Sequence, residues 1–152
     1  MIKDFLRIST IVLVFSFITA QSRGQSTTKE ISEKFFGMYA SDPVKAVDYA
    51  FTTNKWFAKK TDDLISLKNK LKNLVDLLGN YYGYEVLTEK TAGENIKVVT
   101  YIARYDREAL RFILIYYRPK DTWQVQNLSF DEDLTGELEE ASKIYRLKEN
   151  LF

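Results

Sequence analysis

The sequence predicts an α+β domain: N-terminal helices packed on a curved four-stranded antiparallel sheet meander, with a short C-terminal helix. Apolar residues recur at steps of three and four in the first half of the chain, which is typical of amphipathic helices. After Gly83 the period falls to two, and β-branched and aromatic residues become frequent. Short turns separate the four strand-like runs. This favours antiparallel neighbours, because parallel crossovers need about a dozen residues or more.

The start of the chain differs in composition from the rest. Lys3 and Arg7 precede a mostly apolar run at residues 8–20, which is shorter than the roughly 20 apolar residues that a membrane helix needs. A basic start, a short apolar region and a small final residue are typical of an export signal. An uncleaved anchor or a buried amphipathic helix is the alternative, but the run has no polar stripe.

These features divide the chain into three parts. We expect a signal peptide at residues 1–20, cleaved after Ala20, or extending to 24 if cleavage follows Gly24. Residues 21–27 are then a flexible mature N-terminus, and residues 28–148 form a single domain. The mature protein is expected in a bacterial periplasm or outside the cell, with no stable membrane span after signal removal.

Charge and missing residue types limit the functions available. Removal of residues 1–20 takes away Lys3, Arg7 and Asp4, which reduces 22 basic and 21 acidic side chains to 20 of each. A neutral chain lacks the basic footprint of a nucleic-acid-binding protein. The chain contains no cysteine and no histidine, so it has no thiol nucleophile, no thiolate metal site and no imidazole base.

We therefore expect a noncatalytic domain with no cofactor and no metal. Residues 131–140 contain six carboxylates, but the spacing of a calcium-binding EF-hand loop is absent. These acids are interpreted as charges at the start of a helix and on its solvated side. The alternative is a small carboxylate-dependent isomerase or hydrolase that uses Asp or Glu as base and Tyr as hydrogen-bond donor.

Three helices are expected before the sheet. Thr27 and Glu30 have the spacing of a capping box, and Asp42 followed by Pro43 predicts a second helix start. Thr61 caps the third and longest helix, which Gly79 or Gly83 ends. The apolar stripes of the three helices contain Ile31, Phe35 and Met38; Val44, Val47 and Phe51; and Leu64, Leu67, Leu71, Leu74 and Leu78.

The remaining elements follow from composition and period. Trp56 and Phe57 lie between the second and third helices, where their size predicts that they close the edge of the core. A closing helix at residues 134–147 carries its apolar residues on one side. The apolar side of the closing helix comprises Leu138, Ala141, Ile144 and Tyr145. The four predicted strands are residues 84–90, 96–105, 110–117 and 123–130.

The third strand lacks the polar face of a half-exposed strand. Phe112, Leu114 and Tyr116 point one way and Ile113, Ile115 and Tyr117 the other, so both faces of the sheet carry apolar residues here. Helices cover one face. The second face is expected to contain Ile113, Ile115 and Tyr117, together with Val99, Tyr101, Trp123, Val125 and Asn127, although the sequence leaves the register open.

Several segments resemble known proteins. The stretches "GYEVLTEK" and "RFILIYYRPKDTWQVQNLSFDEDL", with the acidic closing helix, are similar to small exported bacterial proteins of unknown function. The arrangement of long N-terminal helices and a bent aromatic sheet resembles the cystatin-like and nuclear-transport-factor-two-like superfold. That resemblance implies small-molecule binding, dimerisation through the sheet or, in some branches, isomerisation or epoxide hydrolysis.

The second sheet face is the predicted binding surface. A patch of this size needs a cover: a second copy of the chain, a small apolar ligand, or the closing helix of the same chain. Arg111 and Asn127 are the polar groups expected to orient a ligand. The predicted interface or ligand-binding residues are Tyr101, Arg111, Ile113, Ile115, Tyr117, Trp123 and Asn127.

Overall fold

The computed structural model describes residues 26–59, 61–136, 138–139 and 142–143. The expected signal peptide lies outside these residues, as does most of the 21–27 segment. In the part of the chain that is described, no helix is both long enough and apolar enough to cross a bilayer. The elements are helices α1 (Thr28–Tyr39), α2 (Pro43–Thr52) and α3 (Thr61–Leu78), a 3-10 turn (Lys55–Lys59), and strands β1 (Tyr81–Ala92), β2 (Ile96–Tyr105), β3 (Leu110–Tyr117) and β4 (Gln124–Asp131).

The first two helices begin where their caps predict. The Thr27 hydroxyl accepts a hydrogen bond from the Glu30 amide at 3.1 Å, and the Glu30 carboxylate accepts one from the Thr27 amide at 2.7 Å. Asp42 accepts a hydrogen bond from the Lys45 amide at 3.0 Å, with Pro43 in the first turn of α2. Both capping predictions are confirmed, because each depends on residues only three apart.

The 3-10 turn after α2 corrects one expectation. Phe57 does pack at the core edge, with its ring centroid 4.4 Å from that of Phe51. Trp56 does not, since 62% of it is exposed and Lys55 lies over its ring. In a five-residue turn, neighbouring side chains leave in different directions, so only one of the two aromatic residues faces the core.

Helix α3 ends at Leu78 because Gly79 has a positive φ of 86°. A side chain at Gly79 would place its Cβ 2.7 Å from a carboxylate oxygen of Asp106. That same Asp106 oxygen accepts a hydrogen bond from the Asn80 amide at 2.6 Å, and Tyr82 donates to the other oxygen at 2.5 Å. The end of α3 is therefore tied to the turn between β2 and β3.

The four strands form one antiparallel sheet in the order β1-β2-β3-β4, which confirms the predicted meander. β1 begins at Tyr81, earlier than the expected start at residue 84, with Gly83 inside it. Register shifts interrupt β1 between Tyr81 and Tyr84 and between Val86 and Thr88. Irregularities of this kind bend a strand and increase its twist.

The three fully described helices pack on one face of the sheet, which we call the inner face. Phe36 stacks on Tyr84 of β1 at 3.9 Å and meets Phe112 of β3 edge-on at 5.7 Å. Leu71 and Leu78 of α3 are buried in the same core. The predicted α+β architecture is therefore correct, with the core between helices and sheet.

The short C-terminal helix is described in part, with helical residues at 134–136, 138–139 and 142–143. Leu138, which was expected on its apolar side, is 56% exposed. Ala141, Ile144 and Tyr145, the other members of that side, lie outside the described residues.

Candidate functional site

The register of β2 and β3 separates residues that were expected to share a face. Val99 pairs with Leu114 and Tyr101 pairs with Phe112, so Val99 and Tyr101 belong to the inner face. Both are almost fully buried, at 2% and 3% exposure. The expectation that they share a face with Ile113 is wrong, because a shift of one residue in register reverses the face of every side chain in a strand. Val125, opposite Tyr116, is on the inner face for the same reason.

The opposite side of the sheet carries a second set of apolar residues, which we call the outer face. Ile113 and Ile115 of β3 lie opposite Thr100 and Val98 of β2, and all four are partly exposed. These side chains do not belong to the hydrophobic core. The apolar members of the outer face are Ile96, Val98, Ile102, Ile113, Ile115 and Tyr117.

Arg111 lies at one end of the outer face and binds a carboxylate of the same chain. Its Nη2 and Nε atoms are 2.8 and 3.0 Å from one oxygen of Asp131, the residue opposite it on β4. A hydrogen-bonded, partly buried pair of this kind is stronger than an ordinary surface ion pair. An incoming anion would have to compete with Asp131, which argues against Arg111 as the group that orients an anionic ligand.

The other two predicted residues differ in where they lie. Trp123 is partly buried against the core, and the Arg118 guanidinium lies 4.9 Å from its ring centroid. Asn127 is exposed on the edge strand β4, where it pairs with Ile115 of the outer face and also borders a cleft of about 210 Å³ next to Phe57 and Leu64. The seven predicted residues therefore do not form one site. Tyr101 and Trp123 pack with the core, whereas the other five belong to the outer face: Arg111, Ile113, Ile115, Tyr117 and Asn127.

A buried cluster of hydroxyl groups joins α1 to the sheet. Ser32 Oγ donates to the Thr28 carbonyl at 2.8 Å, lies 2.7 Å from the Tyr116 hydroxyl, and is hydrogen-bonded to the Tyr101 hydroxyl. A serine hydroxyl has one proton and two acceptor positions. Because its proton goes to Thr28, both tyrosines must donate to Ser32. Burial raises the pKa of both Tyr101 and Tyr116, which keeps these donors protonated.

Ser32 was not identified from the sequence as a functional residue. It stands next to Ile31 and within one turn of Phe35 and Phe36, so it is a polar residue inside an apolar stripe. A buried polar side chain must find partners, and an interruption of this kind is the signal that could have identified it. The partners themselves lie 69 and 84 residues further along the chain.

The hydroxyl cluster borders a groove of about 490 Å³ between the start of α1 and the β1–β2 pair. Ser32 and Tyr101 line its buried end, and Tyr84, Val86 and Val99 supply apolar walls. Charged residues border the rest of the groove as ion pairs, Lys97 with Glu89 at 2.6 Å and Lys29 with Glu33 at 3.7 Å.

Among the residues that the structure describes, two carboxyl groups have a shifted pKa, and neither resembles a general base. Hydrogen bonds from the Lys45 amide and from the Tyr82 hydroxyl lower the pKa of Asp42 and Asp106, respectively. A carboxylate that acts as a general base at neutral pH needs a raised pKa, not a lowered one. Among the described residues, no three acidic side chains gather in a way that could hold a metal ion.

The chain matches no protein-family model, no curated protein and no solved structure.

Proposed function

We propose that this chain is an exported, noncatalytic interaction domain and that its outer face binds a second copy of the chain. The observation that carries the proposal is the row of partly exposed aliphatic side chains on β2 and β3, with Ile113 and Ile115 at its centre. Helices α1, α2 and α3 pack on the inner face and leave this row outside the core. Contiguous apolar patches on soluble proteins usually mark an interaction surface.

A second copy is the preferred partner because an aliphatic sheet face can pair with its own symmetry mate without specialised groups. Four strands about 4.8 Å apart, each about eight residues long at about 3.3 Å per residue, cover about 500 Å². Two such faces bury about 1,000 Å² in total, which is near the lower limit for a specific interface. We therefore expect a weak dimer that dissociates on dilution.

Light scattering over a range of concentrations tests the dimer. Ile113→Asp places a charge at the centre of the outer face and should give a monomer, and Ile113→Thr, which keeps the β-branched shape, should weaken association with less risk to folding. Ile65→Asp is the matched control, because Ile65 is an exposed apolar residue on α3. A wild-type chain that stays monomeric at high concentration contradicts the proposal.

The absence of histidine and cysteine and the lowered pKa of Asp106 support a noncatalytic role. The alternative is a small carboxylate-dependent isomerase or hydrolase of the cystatin-like superfold that the sequence resembles. A screen of hydrolase and isomerase substrates separates the two. The enzyme alternative is favoured if the chain turns over a substrate and if one Asp or Glu substitution abolishes that turnover while the chain still folds.

A further inference from the structure

We propose that the groove between α1 and the β1–β2 pair binds a small uncharged amphipathic molecule, whose hydroxyl group reaches the Ser32–Tyr101 end. This groove lies on the inner side of the sheet, so the proposal does not depend on self-association through the outer face. Three properties of the groove support it: its size and walls, its charge balance, and the hydrogen-bonding groups at its buried end.

The volume of about 490 Å³ lies within the range of small-molecule sites, which is roughly 300 to 1,000 Å³. Val86 and Val99 supply aliphatic walls, and Tyr84 adds an aromatic one. The Tyr84 ring is held in place by stacking on Phe36, with the ring planes 11° apart. The walls are therefore suited to the apolar body of a ligand.

The charged groups around the groove balance one another. Lys97 is paired with Glu89, and Lys29 with Glu33, so the four side chains carry no net charge. A charged ligand would have to give up its hydration and, at the close Lys97–Glu89 contact, compete with one member of an existing hydrogen-bonded pair. An uncharged ligand avoids both costs.

The buried end of the groove favours a ligand that donates a hydrogen bond. The single proton of Ser32 goes to the Thr28 carbonyl, and the Tyr101 hydroxyl donates its own proton to Ser32. The Tyr101 oxygen still has a lone pair that can accept. An alcohol can donate to that lone pair, whereas a carboxylate cannot, because it has no proton.

Three molecules with the same eight-carbon chain test this inference: 1-octanol, octanoate and octylammonium. Each is titrated into the mature chain at neutral pH, and binding is followed by calorimetry and by amide chemical shifts in the NMR spectrum. We expect 1-octanol to bind at least about tenfold more tightly than either ion, with the largest shifts around Val99 and Tyr101. Equal binding of all three, or tighter binding of either octanoate or octylammonium, overturns the proposal.

Two tryptophan variants locate the site. Val86 lines the groove and is 55% exposed, so Val86→Trp can fill the groove with little risk to folding and should abolish 1-octanol binding. Leu87→Trp is the matched control, since Leu87 is the next residue, is 41% exposed and does not line the groove. Loss of binding in both variants, or in neither, contradicts the assignment.

Two further variants test the acceptor and separate this groove from the outer face. Tyr101→Phe keeps the ring but removes the accepting oxygen, and should weaken 1-octanol binding about tenfold. Ile113→Thr should leave 1-octanol binding unchanged even where it weakens dimerisation. If Ile113→Thr abolishes 1-octanol binding, the alcohol binds the outer face and the groove proposal is wrong.

Discussion

Asn54 and Val125 are 71 residues apart in the sequence, yet the Asn54 side-chain amide donates a hydrogen bond to the Val125 carbonyl at 3.1 Å. The Val125 amide in turn donates to the Thr53 hydroxyl at 2.9 Å, and the Asn54 side-chain oxygen accepts from the Trp56 amide at 3.1 Å. Val125 lies on β4, which forms one edge of the sheet. The end of α2 therefore blocks this edge at the point where unpaired backbone groups would otherwise attract another strand.

Replacement of Asn54 with alanine should lower the free energy of unfolding by about 1–3 kcal/mol. The variant leaves the Val125 carbonyl and the Trp56 amide without their side-chain partners, and Asn54 is only 3% exposed. Urea denaturation measures the change. Asn73→Ala, at an exposed position of α3, serves as control and should change stability by no more than about 0.5 kcal/mol. A similar effect of both variants contradicts the edge-capping role.

Replacement of two glycines by alanine should change the stability of the chain in opposite directions. Gly79→Ala should destabilise the chain by about 1–3 kcal/mol, because its backbone has a φ of 86° and the new Cβ would collide with Asp106. Gly37→Ala should stabilise it by about 0.5–1 kcal/mol, since Gly37 lies inside α1 and a Cβ there would meet no atom within 4 Å other than those of its neighbours in the helix. Thermal unfolding of the two variants measures both effects, and a shift of the same sign in each would contradict this account.

Ser32→Ala should destabilise the chain by about 2 kcal/mol or more, because it leaves the buried hydroxyls of Tyr101 and Tyr116 without their common acceptor. Adding Tyr116→Phe to Ser32→Ala should recover part of the loss, since one unsatisfied hydroxyl is then removed. Urea denaturation of the two single variants and the double variant measures the coupling. Additive losses would show that the three hydroxyls do not act as a unit.

Stability should fall at alkaline pH. Burial raises the pKa of Tyr81 to about 12, and burial also raises the pKa of Tyr39 and Tyr116 above their usual value near 10. The tyrosine hydroxyls of the unfolded chain ionise first, near pH 10. The stability that the buried, neutral tyrosines contribute is therefore complete below about pH 10, and it is lost as the pH rises through their pKa values in the folded chain. Urea denaturation between about pH 8 and 12 tests this, and Tyr116→Phe should flatten the decline. A stability that stays level above pH 10 contradicts it.

The mature chain purified from its native host should begin at Gln21 or Gln25. The reason is the basic and then apolar start of the sequence, which we propose to be an export signal cleaved after Ala20 or Gly24. Intact-mass spectrometry of the protein from the cell envelope and the medium measures the N-terminus. A cytosolic protein that retains Met1 contradicts export.

Local interactions explain what could be predicted for the fold. Thr27 with Glu30, and Asp42 with Pro43, mark helix starts through contacts within a single turn. The change of period after Gly83 predicted the strands, although β1 begins at Tyr81 and not at residue 84. Trp56 shows the limit, because size alone does not say which of two adjacent aromatic residues faces the core.

The candidate sites depend on contacts between distant parts of the chain. The sequence by itself determined that β3 has two apolar faces, because Phe112 and Ile113 must point in opposite directions in any strand. Only the tertiary structure decided that Tyr101 lies on the same face as Phe112, that Ser32 gathers two tyrosine hydroxyls, and that a groove opens beside them. The physical reason is that alternation is a property of a single strand, whereas register and buried hydrogen bonds depend on how separate elements pack.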